Sequence, residues 1–260
     1  MRDHVRLLFG LIAIALAIPG AAEEGKVGIV LLHGKQSPVP GPVGSLAQKL
    51  RGAHYLVAIP EMPWSRNRIY GASYEDAMSE IDRAADGLRK KGAQKIVVGG
   101  HGLGGNAAVG CAARRGDLAG IFVLAPSQSP ELSRWREMSA SSVAHAREMV
   151  AAGHGESFES FTDSNMGKIF YPQASAKSYL SYFDPDGPAV IPKNATAIRS
   201  AIAILWVVGT KDLGTPPSGY AFDKAPPHPK SKYVAVDSEY LQVPAVAAEQ
   251  VLAWLRSLDH

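Results

Sequence analysis

Apolar residues fall along this chain in two alternating rhythms. Residues 27–32 form an unbroken apolar run ending at His33-Gly34, the pattern of a strand covered on both faces. A Pro- and Gly-rich loop follows, then a short helix predicted over 45–51 and a strand over 55–59. Ser73 and Asp76 are spaced as a capping box. Behind them Ala77, Ile81, Ala84, Ala85 and Leu88 recur at helical spacing until Lys90, Lys91 and Gly92 mark a stop. The next segments read as a strand over 95–98, a glycine-rich turn, a helix over 104–115 and a buried strand over 121–124.

Regular alternation then breaks. Residues 127–201 carry helical stretches near 133–152 and 174–182 and no convincing strand, which predicts an inserted helical cap. Strand patterns resume at 202–208 and 233–236, and Pro244 opens a last helix with the stripe Ala247, Val251, Trp254, Leu255 and Leu258. Repeated strand–helix–strand units imply an α/β fold with a doubly wound, mostly parallel sheet and right-handed crossovers.

The N-terminus stands apart from this pattern. Arg2 and Arg6 precede an apolar run over 7–17, and Pro19, Gly20, Ala21 and Ala22 lead into two glutamates. A short positive segment, a short apolar run and small residues describe a secretory signal over 1–22, cleaved after Ala22, with the folded domain over 23–260. The mature protein is then expected to be periplasmic or secreted. An uncleaved N-terminal anchor is the alternative, although the run is short for a bilayer. Membrane contact is expected through this segment alone.

Composition narrows the class. With 260 residues, 46% hydrophobic and 20% charged, the chain has enough apolar material for one sizeable core. A net charge of +3 with scattered basic residues gives no nucleic-acid footprint. The single Cys111 makes no internal disulfide.

Two loops at predicted strand ends carry the candidate chemistry, because parallel sheets place ligands at the C-terminal ends of their strands. One is Leu32-His33-Gly34-Lys35. The other, Gly100-His101-Gly102-Leu103-Gly104, joins a strand to a helix and resembles the nucleophile elbow G-x-S-x-G of α/β hydrolases. The outer glycines are in place, and Gly102 stands where the serine belongs. The elbow holds its central residue at positive φ, a strain of about 1–3 kcal/mol for an ordinary residue that glycine largely avoids.

The resemblance extends over nearly the whole mature chain. Segments 31–35 (LLHGK), 60–66 (PEMPWSR), 181–190 (SYFDPDGPAV) and 225–231 (APPHPKS) are similar to those of a group of small bacterial α/β hydrolases. That resemblance implies a serine-hydrolase fold without metal or organic cofactor. It implies the triad acid at Asp212 and the oxyanion hole at the backbone N–H groups of Lys35 and Leu103. It also implies a histidine where this chain has Tyr240, followed by Leu241 and, three residues further, Pro244. A phenol with a pKa of about 10 is a poor proton acceptor at neutral pH. Two of the three triad positions therefore lack their side chains.

Other residues have plainer readings. His33 is expected to brace the oxyanion loop, and His33 with His101 lacks the carboxylate that would suggest a metal site. Cys111 reads as a small buried hydrophobe, Ser37 as a turn former, and Trp64, Tyr70, Tyr171, Tyr179, Tyr182 and Phe183 as packing or cleft lining. Asn194-Ala195-Thr196 matches a glycosylation triplet. The leading expectation is a catalytically inactive hydrolase-like protein that binds a small acyl-type ligand or a protein partner. An esterase-like hydrolase with an unrecognised nucleophile and a purely structural envelope protein are the alternatives.

Overall fold

The computed structural model describes residues 26–211 and 217–258. The predicted signal segment and its cleavage position lie outside the described residues. In chain order the first elements are β1 (Val27–Leu32), α1 (Gly44–Gly52), β2 (Leu56–Ala58), α2 (Tyr74–Lys90), β3 (Lys95–His101), α3 (Leu103–Arg114) and β4 (Gly120–Leu124). The cap region holds α4 (Ser133–Ala151), β5 (Phe158–Ser160), β6 (Asp163–Asn165), β7 (Lys168–Phe170), β8 (Gln173–Ser175), α5 (Ala176–Phe183) and α6 (Ile191–Ala197). The chain finishes with β9 (Ala203–Gly209), β10 (Lys232–Val236), α7 (Val243–Val246) and α8 (Ala248–Ser257).

Six strands form one sheet in the order β10-β9-β4-β3-β1-β2. Every neighbouring pair is parallel, so the sheet is wholly parallel where the sequence suggested mostly parallel. Side chains alternate between its faces, as strand geometry requires. Val30, Leu32, Ile96, Val98, Ile121, Val123, Ile204 and Trp206 pack on one face with α2, α3 and the cap. Ile29, Leu31, Val97, Phe122, Leu124, Leu205 and Val207 pack on the other with α1 and α8. Because both faces are covered, the central strands read as continuous apolar runs rather than as alternation.

The helices form where their signals sit. At the start of α2, the Ser73 hydroxyl accepts from the Asp76 N–H while the Asp76 carboxylate accepts from the Ser73 N–H, and the predicted stripe faces the sheet. The final helix is broken. α7 ends before Ala247 and α8 begins after it, yet Ala247, Val251, Trp254 and Leu255 share one buried face as the pattern required.

The cap departs from its prediction. Besides α4, α5 and α6 it contains two antiparallel strand pairs, β5 with β8 and β6 with β7. Each strand has three residues, and β6 reads Asp-Ser-Asn. Such short polar stretches are too brief to show alternation and carry little β propensity. Two chain reversals supply the pairing, with Met166 and Gly167 at positive φ between β6 and β7. Among the described residues no helix is long and apolar enough to cross a membrane.

Candidate active site

The elbow is built as its glycines suggest. At Gly104 a β-carbon would stand 2.5 Å from the Leu32 carbonyl oxygen and 2.7 Å from that of His33. Only a bare α-carbon lets α3 lie this close to the end of β1. Gly102 sits between β3 and α3 with φ 59° and ψ −121°. Its N–H donates to the Leu124 carbonyl at 3.0 Å, and its own carbonyl accepts from the Asn106 N–H at 3.0 Å. The turn that would carry a nucleophile is therefore intact, and the helix end it opens has no acidic residue in its first turn. Leu103 heads α3, so its N–H has no acceptor within the helix.

Tyr240 reaches this turn from the segment after β10. A β-carbon at position 102 would overlap the Tyr240 hydroxyl oxygen, and it would lie 3.1 Å from Cζ and 3.3 Å from the Ser127 hydroxyl. The phenol oxygen thus fills the space that any side chain at position 102 would take. Its distance to the Ser127 hydroxyl is 3.3 Å. Tyr240 lies in the short turn after β10. There the Thr210 N–H donates to the Val236 carbonyl and the Lys211 N–H donates to the Ser238 carbonyl, so the end of β9 is fastened to the same turn. Asp212, the expected acid, lies outside the described residues.

His101 holds the tyrosine in place. The two rings lie 4.3 Å apart between centroids, and the imidazole Nε2–H donates to the Tyr240 carbonyl at 2.9 Å. Burial pushes the His101 pKa down to about 4, the backbone bond opposing it. The ring is neutral at pH 7, and because Nε2 carries the proton, Nδ1 is a bare acceptor buried without a hydrogen-bond partner. The imidazole is occupied as a strut.

The loop after β1 is stitched to the segment around Trp64. His33 Nδ1–H donates to the Gly34 carbonyl at 2.9 Å, leaving Nε2 to accept from the Met62 N–H at 3.1 Å. The Trp64 indole donates to the His33 carbonyl at 2.8 Å, and the Gln36 N–H donates to the Trp64 carbonyl at 2.8 Å. Burial holds the His33 pKa below its ordinary value. The expected bracing role of His33 is what its bonds perform. Ser37 donates to the Pro38 carbonyl at 2.8 Å as a turn former does.

The side chain of Lys35 is a feature the sequence did not announce. Its ammonium is buried, 2.7 Å from Asp163 and 2.6 Å from the Ser164 carbonyl, and lies 4.7 Å from the centre of the Trp135 ring. Asp163 is fully buried and also accepts from the Tyr70 hydroxyl at 2.7 Å. Burial lowers the Lys35 pKa, and Asp163 offsets part of that shift. This pair fastens the loop after β1 to β6 of the cap. An aspartate inside a polar triplet reads as surface in sequence, so nothing pointed to it. Asn106 forms a second tie, donating to the carbonyls of Gln128 at 2.7 Å and Ala189 at 2.8 Å while accepting from the Tyr74 hydroxyl at 2.8 Å. The loop it grips bends through positive φ at Ala125 and Gln128, and this bend carries Ser127 to the elbow.

The thiol of Cys111 is buried in α3, and burial pushes its pKa up to about 12. The described imidazoles that hydrogen-bond do so to backbone groups or, for His145, to Glu159. No group of three metal-binding side chains occurs among the described residues.

No protein-family profile and no curated protein matches this sequence. Solved structures do match its fold. A metagenome-derived lipolytic enzyme from work on LipS and LipT is 16% identical, with a TM-score of 0.63 over 90% of this chain and 95% of that one. The monoacylglycerol lipase of Paleococcus ferrophilus is 21% identical, with a TM-score of 0.59 over 90% and 96%. Est1E of Butyrivibrio proteoclasticus, solved with ferulic acid bound, is 16% identical, with a TM-score of 0.57 over 92% and 94%.

Proposed function

We propose that this chain, whose architecture is the α/β-hydrolase fold, is an exported protein that does not turn over esters and binds a small acyl-type ligand at its strand ends. One observation carries the reading: the Tyr240 oxygen stands where a nucleophile's β-carbon would have to be. A serine hydrolase needs a hydroxyl on the elbow and an imidazole beside it to take the proton. Here position 102 has no side chain, and the adjacent imidazole, His101, is buried, tied to the Tyr240 carbonyl and held near a pKa of 4, a poor base for the task.

Gly102 and Tyr240 form a matched pair. The phenol fits only because position 102 carries no β-carbon, and so the two departures from the hydrolase pattern are one structural change. Backbone donors at Lys35 and Leu103 need no side chain, and a carbonyl or carboxylate oxygen is the group such N–H donors bind. In serine hydrolases such donors and binding alone sustain about 10³–10⁴-fold acceleration over water after the triad is removed, far below an enzyme's rate. The test is hydrolysis of p-nitrophenyl acetate at large substrate excess. The expected result is no sustained nitrophenolate release above the buffer rate, and many turnovers per chain would contradict the reading.

A further inference from the structure

We propose that the Tyr240 hydroxyl is a covalent acceptor for activated acyl groups, taking one acyl group per chain as an aryl ester at the elbow. The proposal rests on reading the strand ends as an acyl-ligand site, and it names the atom that meets the acyl carbon.

Position is the first argument. The Tyr240 oxygen occupies the volume of a side chain on Gly102, so a carbonyl presented to the elbow meets this oxygen first. The phenol is held there. Its ring packs on His101 with centroids 4.3 Å apart, and its backbone carbonyl is tied to the same imidazole at 2.9 Å.

The surroundings suit the chemistry. The oxygen lies at the N-terminal end of the twelve-residue α3, whose dipole favours negative charge on an attacking or developing oxyanion. The Ser127 hydroxyl, 3.3 Å away, offers a path for the phenolic proton. Tyr240 is half-buried, neither sealed in the core nor fully solvated.

Chemistry sets the donor class. A phenol has a pKa of about 10, so transfer to tyrosine runs downhill from donors with a much more acidic leaving group, aryl thioesters and aryl esters of an acidic phenol. It runs uphill from alkyl esters such as glycerides. With a thioester, the Tyr240 oxygen bonds to the carbonyl carbon and the carbon–sulfur bond breaks. The phenolic proton passes through Ser127 to the departing thiolate, which leaves as free thiol. No oxidant or reductant is needed. The product persists because burial holds the His101 imidazole near a pKa of 4, so its bare Nδ1 is too weak a base to activate water against the ester.

The test is intact mass measurement and peptide mapping of the native chain after incubation with S-phenyl thioacetate. One acetyl group per chain is expected, on Tyr240, with one equivalent of thiophenol released. Tyr171, at 67% exposure a far more accessible phenol, is expected to stay unmodified, and ethyl acetate is expected to give no adduct. Tyr240→Phe is expected to abolish the adduct with its unfolding midpoint in urea checked alongside, and Ser127→Ala to slow it several-fold. An unmodified Tyr240, labelling of Tyr171 in preference, or an undiminished adduct in Tyr240→Phe would overturn the proposal. Thiol release far beyond one equivalent that Tyr240→Phe abolishes would leave the acceptor role standing and sink the non-turnover reading. No adduct and no release would do the reverse.

Discussion

The Tyr240 hydroxyl and the α-carbon of Gly102 exclude any side chain between them. This makes the two positions energetically dependent. Gly102→Ala places a β-carbon at φ 59° and against the phenol oxygen. The strain alone is expected to cost about 1–3 kcal/mol, with the overlap adding to it. In a Tyr240→Ala background the overlap vanishes, and the cost of Gly102→Ala should shrink toward the strain alone. Urea unfolding of the four proteins of this double-mutant cycle measures the coupling, and strictly additive costs would contradict the packing described.

The Lys35–Asp163 pair is expected to matter most when broken from one side. Asp163→Ala leaves a buried ammonium beside the Ser164 carbonyl with no countercharge, and loss of one partner of a buried pair typically costs about 3–5 kcal/mol. Replacing both by apolar residues, Lys35→Met with Asp163→Leu, should cost less than Asp163→Ala alone, since no charge is then left unpaired. Equilibrium unfolding in guanidinium chloride checks the order of the two variants.

Acid sensitivity follows from His101. Its folded pKa lies near 4 against an ordinary 6.5, so the unfolded chain binds the proton first. Its contribution to stability is complete above pH 6.5, falls as pH drops toward 4, and is flat below that. Each pKa unit corresponds to about 1.4 kcal/mol, so the fall from this group is on the order of 3 kcal/mol. His33 acts in the same direction. In His101→Gln the dependence of unfolding free energy on pH between 4 and 6.5 should be visibly flatter, and an unchanged slope would assign the acid sensitivity elsewhere.

Cys111 should be silent in the folded protein. Its thiol is buried and pushed up to about 12, so a maleimide at pH 7 is expected to label it only after unfolding. Rapid labelling in native buffer would show that α3 opens.

Much of the sheet and its helices was legible because burial on two faces leaves a plain trace. β1 is an apolar run, and α2 declares itself by a capping box and a stripe at helical spacing. The cap strands left no such trace, being three polar-edged residues each and paired only through chain reversals. The elbow could be located from its outer glycines and its place between strand and helix. Gly102 and Tyr240 were visible as two substitutions, but their contact was not, since it depends on how the turn after β10 aims a side chain across the sheet edge. Lys35 stands out in the sequence for its backbone alone. Its side chain is buried because Asp163 and Tyr70 arrive from the cap, and no local pattern records a partner so distant along the chain.

The account is tested most directly by steady-state hydrolysis of p-nitrophenyl acetate by four proteins: the native chain, Gly102→Ser, Tyr240→His, and the two substitutions together. A serine at 102 needs the phenol gone and an imidazole in its stead, so sustained turnover is expected from the double variant only. Sustained turnover by the native chain, or by Gly102→Ser at the rate of the double variant, would contradict it.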